Sequence, residues 1–175
     1  NLDQENTRKA IDELQLFVNL YPNSERSEEA GELIQKLRDK LEKKAFENAR
    51  LYYNMGLPDD YRAAVIAFEN VLKAFPDTKY AEEIEYLIVK SQYSFAENSR
   101  LHRQEERFTD AIDYYQSFAE SYPESKYAKE LDDLRRSAER KIAYAGRQID
   151  HIQKLQKRQE EELGIIEQAV EAVQE

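Results

Sequence analysis

The chain contains no cysteine. Disulfides and thiolate–metal sites are thereby excluded, and the redox compartment is left open. Four glycines and four prolines among 175 residues leave little turn material, so most of the chain should be helix. The longest uninterrupted apolar run, Ala63 to Phe68, has six residues, whereas a membrane-spanning helix needs about 20. A basic excess is also missing. Twenty-six Lys and Arg face 36 Asp and Glu, for a net charge of −10. That balance disfavours nonspecific binding to DNA, RNA or anionic lipid, because phosphate contact needs a basic stripe. Small basic groups, Arg135-Arg136 and Lys154, Lys157, Arg158, are interleaved with or flanked by acids and read as solvated helix faces.

Catalytic signatures are equally sparse. The two histidines, His102 and His151, lie far apart, and neither belongs to an H-x-x-x-H or H-E-x-x-H arrangement. Adjacent carboxylates occur at Asp59-Asp60, Glu82-Glu83, Glu105-Glu106 and Asp132-Asp133. On a helix such neighbours diverge by about 100°, so they do not converge on a substrate. There is no glycine-rich phosphate loop and no G-x-S-x-G elbow. The expectation is a protein that is not an enzyme, with no catalytic residue, no cofactor and no metal.

What the chain does have is one phrase written three times. It reads Ala10-Ile11 … Tyr21-Pro22-Asn23-Ser24, then Ala64-Val65 … Phe75-Pro76-Asp77-Thr78, then Ala111-Ile112 … Tyr122-Pro123-Glu124-Ser125. Ala and Pro are twelve residues apart in every copy. A small residue opens an amphipathic stretch, an aromatic closes it, proline stops it, and a Ser or Thr two residues later is placed to cap the next helix. Such punctuation belongs to stacked helical hairpins, and the fold expected is all-α, a tetratricopeptide-like right-handed α-solenoid of about six helices. The aromatics at the stops, Tyr21, Phe75 and Tyr122, are expected to be buried against the following helix. The spacing between prolines, 54 and then 47 residues, exceeds the roughly 34 of a standard tetratricopeptide repeat.

The periodicity predicts helices over about Asn6–Leu20, Glu25–Met55, Tyr61–Ala74, Thr78–Glu97 and Gln104–Ser121, and a last one of thirty or more residues after Ser125. Two of the six are overlong. The inward face of the first is Ala10, Leu14, Phe17 and Val18. The second carries Ala30, Leu33, Ile34, Leu37, Leu41, Ala45, Ala49 and Tyr52, and the last carries Leu131 through Leu155 at steps of three or four. Gly56-Leu57-Pro58-Asp59-Asp60 and Asn98–Arg103 read as breaks. Residues 1–160 form the repeat domain. Residues 161–175 read as a carboxy-terminal helical tail, with Leu163, Ile166, Val170 and Val173 as a second stripe and Gly164 as a joint. The twelve tyrosines, eight of them near apolar positions, read either as seals over helix–helix grooves or as the lining of a peptide-binding concavity.

A longer pattern adds to this. Asp3-Gln4 … Thr7-Arg8 … Ala10 … Phe17 … Tyr21-Pro22-Asn23-Ser24 is followed by Leu37-Arg38-Asp39-Lys40-Leu41 … Ala49-Arg50-Leu51-Tyr52-Tyr53 … Gly56. It resembles the second half of the BamD family, the lipoproteins of the outer-membrane β-barrel assembly machinery, over roughly residues 3 to 128. The resemblance implies a non-catalytic scaffold at the periplasmic face of the outer membrane, docking the periplasmic part of a BamA-like barrel insertase and accessory lipoproteins. It also implies that the lipid-bearing cysteine and the first repeats of the family belong to a longer protein. The chain opens at Asn1 rather than Met, and the expectation is a fragment. The surface expected to meet the partner is the exposed side of the third helix with the end of the second: Arg50, Asn54, Arg62, Glu69 and Lys73. Two other classes share the architecture. One is a periplasmic adaptor of the Tol-Pal, CpoB-like type, whose repeats are more evenly spaced. The other is an enzyme or carbohydrate-binding protein, which would need converging polar groups in its groove.

Overall fold

The computed structural model describes the backbone of residues 4–174 and the side chains of residues 4–166. Six helices follow one another: α1 Glu5–Leu20, α2 Ser27–Met55, α3 Pro58–Ala74, α4 Ala81–Glu97, α5 Leu101–Ser121 and α6 Ala128–Gln174. No strand occurs among the described residues. Two helices are overlong, as the periodicity requires: α2 has 29 residues and α6 has 47. Nothing interrupts α2 between Leu37 and Ala45, and Gly56 ends it at φ 77°, a left-handed position that favours glycine.

The three repeated phrases fold into three copies of one connector. The aromatic N–H closes the last helical turn: Tyr21 donates to the Phe17 carbonyl at 2.9 Å, Phe75 to Val71 at 2.9 Å and Tyr122 to Phe118 at 2.8 Å. Proline then ends the helix, since it has no N–H to donate and its ring clashes with the preceding turn. The Ser or Thr that follows donates its N–H back to the aromatic carbonyl, at 3.0, 3.1 and 3.1 Å for Ser24, Thr78 and Ser125. Its side-chain oxygen accepts the N–H two residues on, from Arg26 at 3.3 Å, Tyr80 at 3.2 Å and Tyr127 at 3.0 Å. Its carbonyl accepts from the first residue of the next helix, Ser27, Ala81 or Ala128. These residues therefore sit between two consecutive turns, and the next helix opens two positions later than an N-cap role would place it.

The chain divides into two compact units, residues 1–88 and 89–175. In the first, α2 and α3 pack antiparallel. Phe46 meets Phe68 at 6.2 Å between ring centroids, and Tyr53 meets Tyr61 edge-on at 6.1 Å. Phe46, Ala49, Ala64, Phe68, Val71 and Ile84 form the core. α4 runs in the same direction as α2, because their contacts ascend together. Glu42 accepts from the Thr78 hydroxyl at 2.6 Å, Phe46 stacks on Tyr80 at 4.6 Å, and Arg50 approaches Glu83 at 4.0 Å.

The second unit repeats this relation. Tyr93, Ala96, Phe108, Ala111 and Ala138 make its core, with Ile112, Leu134 and Ile142 packed around them. α5 returns antiparallel to α4, and α6 antiparallel to α5. α4 and α6 then ascend together through Lys90–Glu130 at 2.9 Å, Tyr93–Ser137 at 2.9 Å and Glu97–Lys141 at 2.5 Å.

Several expectations need correction. Ala10 is exposed, and α1 turns Thr7, Ile11, Leu14, Phe17 and Val18 toward α2 instead. Tyr21 is 58% exposed, while Phe75 and Tyr122 are half-buried. The Tyr21 and Tyr122 rings fold back on Phe17 and Phe118 of their own helices, at 5.5 and 5.2 Å, rather than onto the next. Leu33 and Tyr52 are exposed, and Phe46, absent from the single stripe assigned to α2, is its most buried large side chain. The cause is length. α2 buries Ala30 and Ile34 along its first half and Phe46 and Ala49 along its second. From residue 34 to 46 the helical phase advances by about 120°, so the buried face rotates as the neighbouring helices change.

Pro58-Asp59-Asp60 also belongs to a helix and not to a break. Pro58 occupies the first turn of α3, where its missing N–H costs nothing, and Asp60 Oδ2 accepts the Leu57 N–H at 3.3 Å. Likewise α5 begins at Leu101, leaving only residues 98–100 as connection. Residue 160 falls inside α6, which passes Gly164 unbroken. Leu163 and Ile166 are exposed, while the side chains of Val170 and Val173 lie outside the described residues. Because Phe46 is 2% exposed, Phe46→Ala should cost roughly 3–5 kcal/mol in a urea titration, against under about 1 kcal/mol for Tyr21→Ala.

Candidate partner-binding surfaces

Small side chains on facing helices leave space between them. In the first unit Ala45 and Ala49 of α2 face Ala67 and Ala74 of α3, and the start of α1 closes one end. The result is a groove of about 610 Å³. Tyr52, Val71 and Phe75 supply apolar wall, and Asn48 and Asn70 supply amides. Its charged lining among the described residues is Arg8 and Lys44, both basic, in a chain of net charge −10. A second depression of about 520 Å³ adjoins it through Arg8, Leu41, Ala74 and Phe75, and there Arg38 is accompanied by Asp12, Glu42 and Asp77.

Of the five residues expected to meet a partner, Arg50 and Asn54 lie on α2 and Arg62, Glu69 and Lys73 on α3. Arg62, Glu69 and Lys73 share one side of α3, opposite the buried Ala64, Phe68 and Val71, with the 49% exposed Ile66 among them. Arg50 and Asn54 lie one turn apart near the end of α2, and both are exposed. The Arg50 guanidinium turns to Glu83 on α4. With both side chains more than a third exposed, that pair adds little stability.

The second unit presents an acidic depression of about 410 Å³ lined by Gln92, Asp110, Asp113, Tyr114 and Ser117. Gln92 Nε2 donates to Asp110 Oδ2 at 3.1 Å and to the Arg107 carbonyl at 3.2 Å. Burial, then repulsion from Glu106 and Asp113, raises the Asp110 pKa, and Arg107 works against them. Arg107 itself hydrogen-bonds Ser99 Oγ and stands over the Phe95 ring at 4.0 Å. Farther along, Asp132 is held by Arg135 at 2.8 Å and Arg136 at 2.6 Å, and it accepts from the Tyr115 hydroxyl at 3.4 Å. The Arg135 hydrogen bond is the main cause lowering the Asp132 pKa. Its stabilising effect is present above the ordinary carboxylate range and is lost as pH falls through the lowered value.

The tyrosines take different places in the structure. Tyr53, Tyr93 and Tyr115 seal helix contacts, whereas Tyr52 and Tyr114 line depressions. Adjacent carboxylates diverge: Asp132 enters its arginine network while Asp133 faces solvent. His102 and His151 are exposed on α5 and α6. Among the described residues no three His, Asp or Glu side chains gather as a metal site. The grooves themselves were not legible in the sequence. Their only signal is the alanines at 45, 49, 67 and 74, which read equally well as close helix packing.

These features define an all-helical protein built from repeated hairpins, with open grooves between its helices. The sequence model of the BamD-type YfiO family, described as outer membrane lipoprotein, matches residues 1–88 and 57–159. The chain belongs to that family. No curated protein matches it. No helix among the described residues is long and apolar enough to cross a membrane.

The raised Asp110 pKa has a measurable consequence. A carboxyl whose pKa rises on folding favours the native state below its unfolded value, and that contribution is lost as pH rises through the folded value. Asp110→Asn keeps an oxygen for Gln92 and cannot ionise. Its urea midpoint should exceed that of the wild type at pH 7, with the difference vanishing at acid pH.

Proposed function

We propose that this chain is a non-catalytic scaffold of the outer-membrane protein assembly complex, docking the periplasmic part of a BamA-like barrel insertase together with accessory lipoproteins. The observation that carries the reading is the family match running from residue 1 to residue 159. The overlong α2 ending at Gly56 and the resemblance over roughly residues 3 to 128 further support it, and they favour this reading over a Tol-Pal-type adaptor with evenly spaced repeats. The chain corresponds to the carboxy-terminal part of a BamD-like protein. That protein sits at the periplasmic face of the outer membrane, held by a lipid on its full-length form.

The arrangement expected is a right-handed tetratricopeptide-type solenoid. Three identical connectors support it, as do the parallel course of α2 with α4 and of α4 with α6, because stacked hairpins bring every second helix into register. The scaffold works by display. Exposed charges such as Arg62 and Lys73 on α3 steer a partner and set its salt dependence more than its affinity.

The test is capture of the cognate BamA periplasmic domain by this chain, followed by surface plasmon resonance at two salt concentrations. Binding is expected without a lipid anchor. Arg62→Glu with Lys73→Glu should slow association more at low salt than at high salt. No binding by the wild type would defeat the scaffold reading. Unchanged rates for the double variant at both salt levels would move the interface off this face of α3.

A further inference from the structure

The groove of the first unit, about 610 Å³, falls within the range of about 300–1,000 Å³ typical of ligand clefts. Ala45 and Ala49 of α2 and Ala67 of α3 form its floor. The other lining residues follow an order. Phe46 against Phe68 and Tyr53 against Tyr61 set the register of the two helices, which places Asn70 across from Lys44 and Ala67 across from Asn48. Lys44, Asn48 and Tyr52 succeed one another at steps of four, on one side of α2. Arg8 of α1 stands at the Leu41 end, which the groove shares with the neighbouring depression. Along its length the groove thus presents two cations, then two amides, then an aromatic ring. From Leu41 to Tyr52 α2 rises about 16 Å, the reach of about five residues of extended chain.

Each group selects for a different part of a ligand. Arg8 and Lys44 line this groove without an acid among the described residues, in a chain of net charge −10, and so favour a carboxylate. Asn48 and Asn70 are exposed, and each amide offers donors and an acceptor, the complement of a peptide N–H and C=O. An acyl chain laid over them would desolvate both amides without pairing either, which disfavours a lipid. A helical ligand has already paired its backbone groups within itself, so an extended chain makes better use of them. Tyr52, 43% exposed, offers its ring to an apolar side chain. The groove continues past Arg8 into the second depression, so a bound chain passes through rather than ending at the cations. Asp12, Glu42 and Asp77 on that far side confine acidic side chains to the Lys44 side.

We propose that the groove between α1, α2 and α3 is a docking site for an extended internal segment of a partner protein. An acidic side chain of that segment meets Arg8 and Lys44, an apolar one packs on Tyr52, and Asn48 and Asn70 hold the backbone between them. Neither Arg62 nor Lys73 lines the groove, so the site does not rest on docking of an insertase at that face of α3.

The test uses the whole chain and a library of random decapeptides displayed with both ends joined to a carrier protein. Lys44 and Tyr52 are about 12 Å apart along α2, so selection should enrich Asp or Glu three or four residues from Phe, Tyr, Leu or Val. A synthetic peptide of the selected sequence, acetylated and amidated, is then titrated by fluorescence anisotropy. Arg8→Glu with Lys44→Glu should weaken binding about tenfold or more, with the larger loss at low salt. Asn48→Ala with Asn70→Ala should weaken it and leave the salt dependence unchanged. All four side chains are exposed or half-buried, so these variants should melt as the wild type does in circular dichroism. Ala45→Leu raises the floor without altering charge and should also block the peptide. Arg62→Glu with Lys73→Glu should bind it as the wild type does, which separates failure of this site from failure of insertase capture. Phosphatidylglycerol vesicles serve as the competing probe. The proposal is overturned by no enrichment, by enrichment of basic peptides, by undiminished binding to the Arg8 and Lys44 double variant, or by vesicle binding that the same variants abolish.

Discussion

The reversal of the chain after each short helix depends on one constraint, a proline that cannot continue the helix it follows. Pro22, Pro76 and Pro123 each leave a backbone segment whose carbonyls and N–H groups need other partners. The Ser or Thr two residues later supplies them with three bonds: one from its own N–H, one to its carbonyl and one to its side-chain oxygen. Three chemically matched connectors follow, each with the same pattern of hydrogen bonds. Thr78 also reaches a second helix. It is 6% exposed, and its hydroxyl also reaches Glu42 on α2 at 2.6 Å, so one side chain both shapes the connector and ties two helices.

Once hairpins form, polar ties add to apolar and aromatic contacts between helices that run in the same direction. Antiparallel neighbours meet through large aromatics, as Phe46 with Phe68 and Tyr93 with Phe108. Parallel neighbours within each unit meet partly through polar ties, as Thr78 with Glu42 and Lys141 with Glu97. Lys141 is the more instructive. Its ammonium donates to Glu97, which raises its pKa, and also stands about 6 Å from the Tyr93 and Phe108 rings. A cation so placed fixes helix register without being sealed from solvent.

The surfaces carry the consequences. The first unit shows a groove with basic lining, and the second shows an acidic depression in which burial and neighbouring acids keep Asp110 under electrostatic stress. The chain belongs to a family described as outer membrane lipoprotein, and no helix among the described residues is long and apolar enough to cross a membrane. The long α6 leaves Ile152, Leu163 and Ile166 exposed beyond Ala145, its last buried residue.

The sequence by itself determined the helical class, the connectors, the two overlong helices and the family likeness. Each is local. Proline, glycine and the spacing of apolar residues act within a turn or two of where they stand, so the chain declares them without reference to its fold. Only the tertiary structure decided which face of each helix is buried. Ala10 and Ala64 occupy equivalent places in the repeated phrase, yet one is exposed and the other fully buried, because the neighbours of α1 and α3 differ. Phe46 escaped a single-stripe reading because α2 passes from one set of partners to another and its buried face turns with them. Sequence gives the phase of a side chain around its own helix, while the packing of other helices determines which phases meet water.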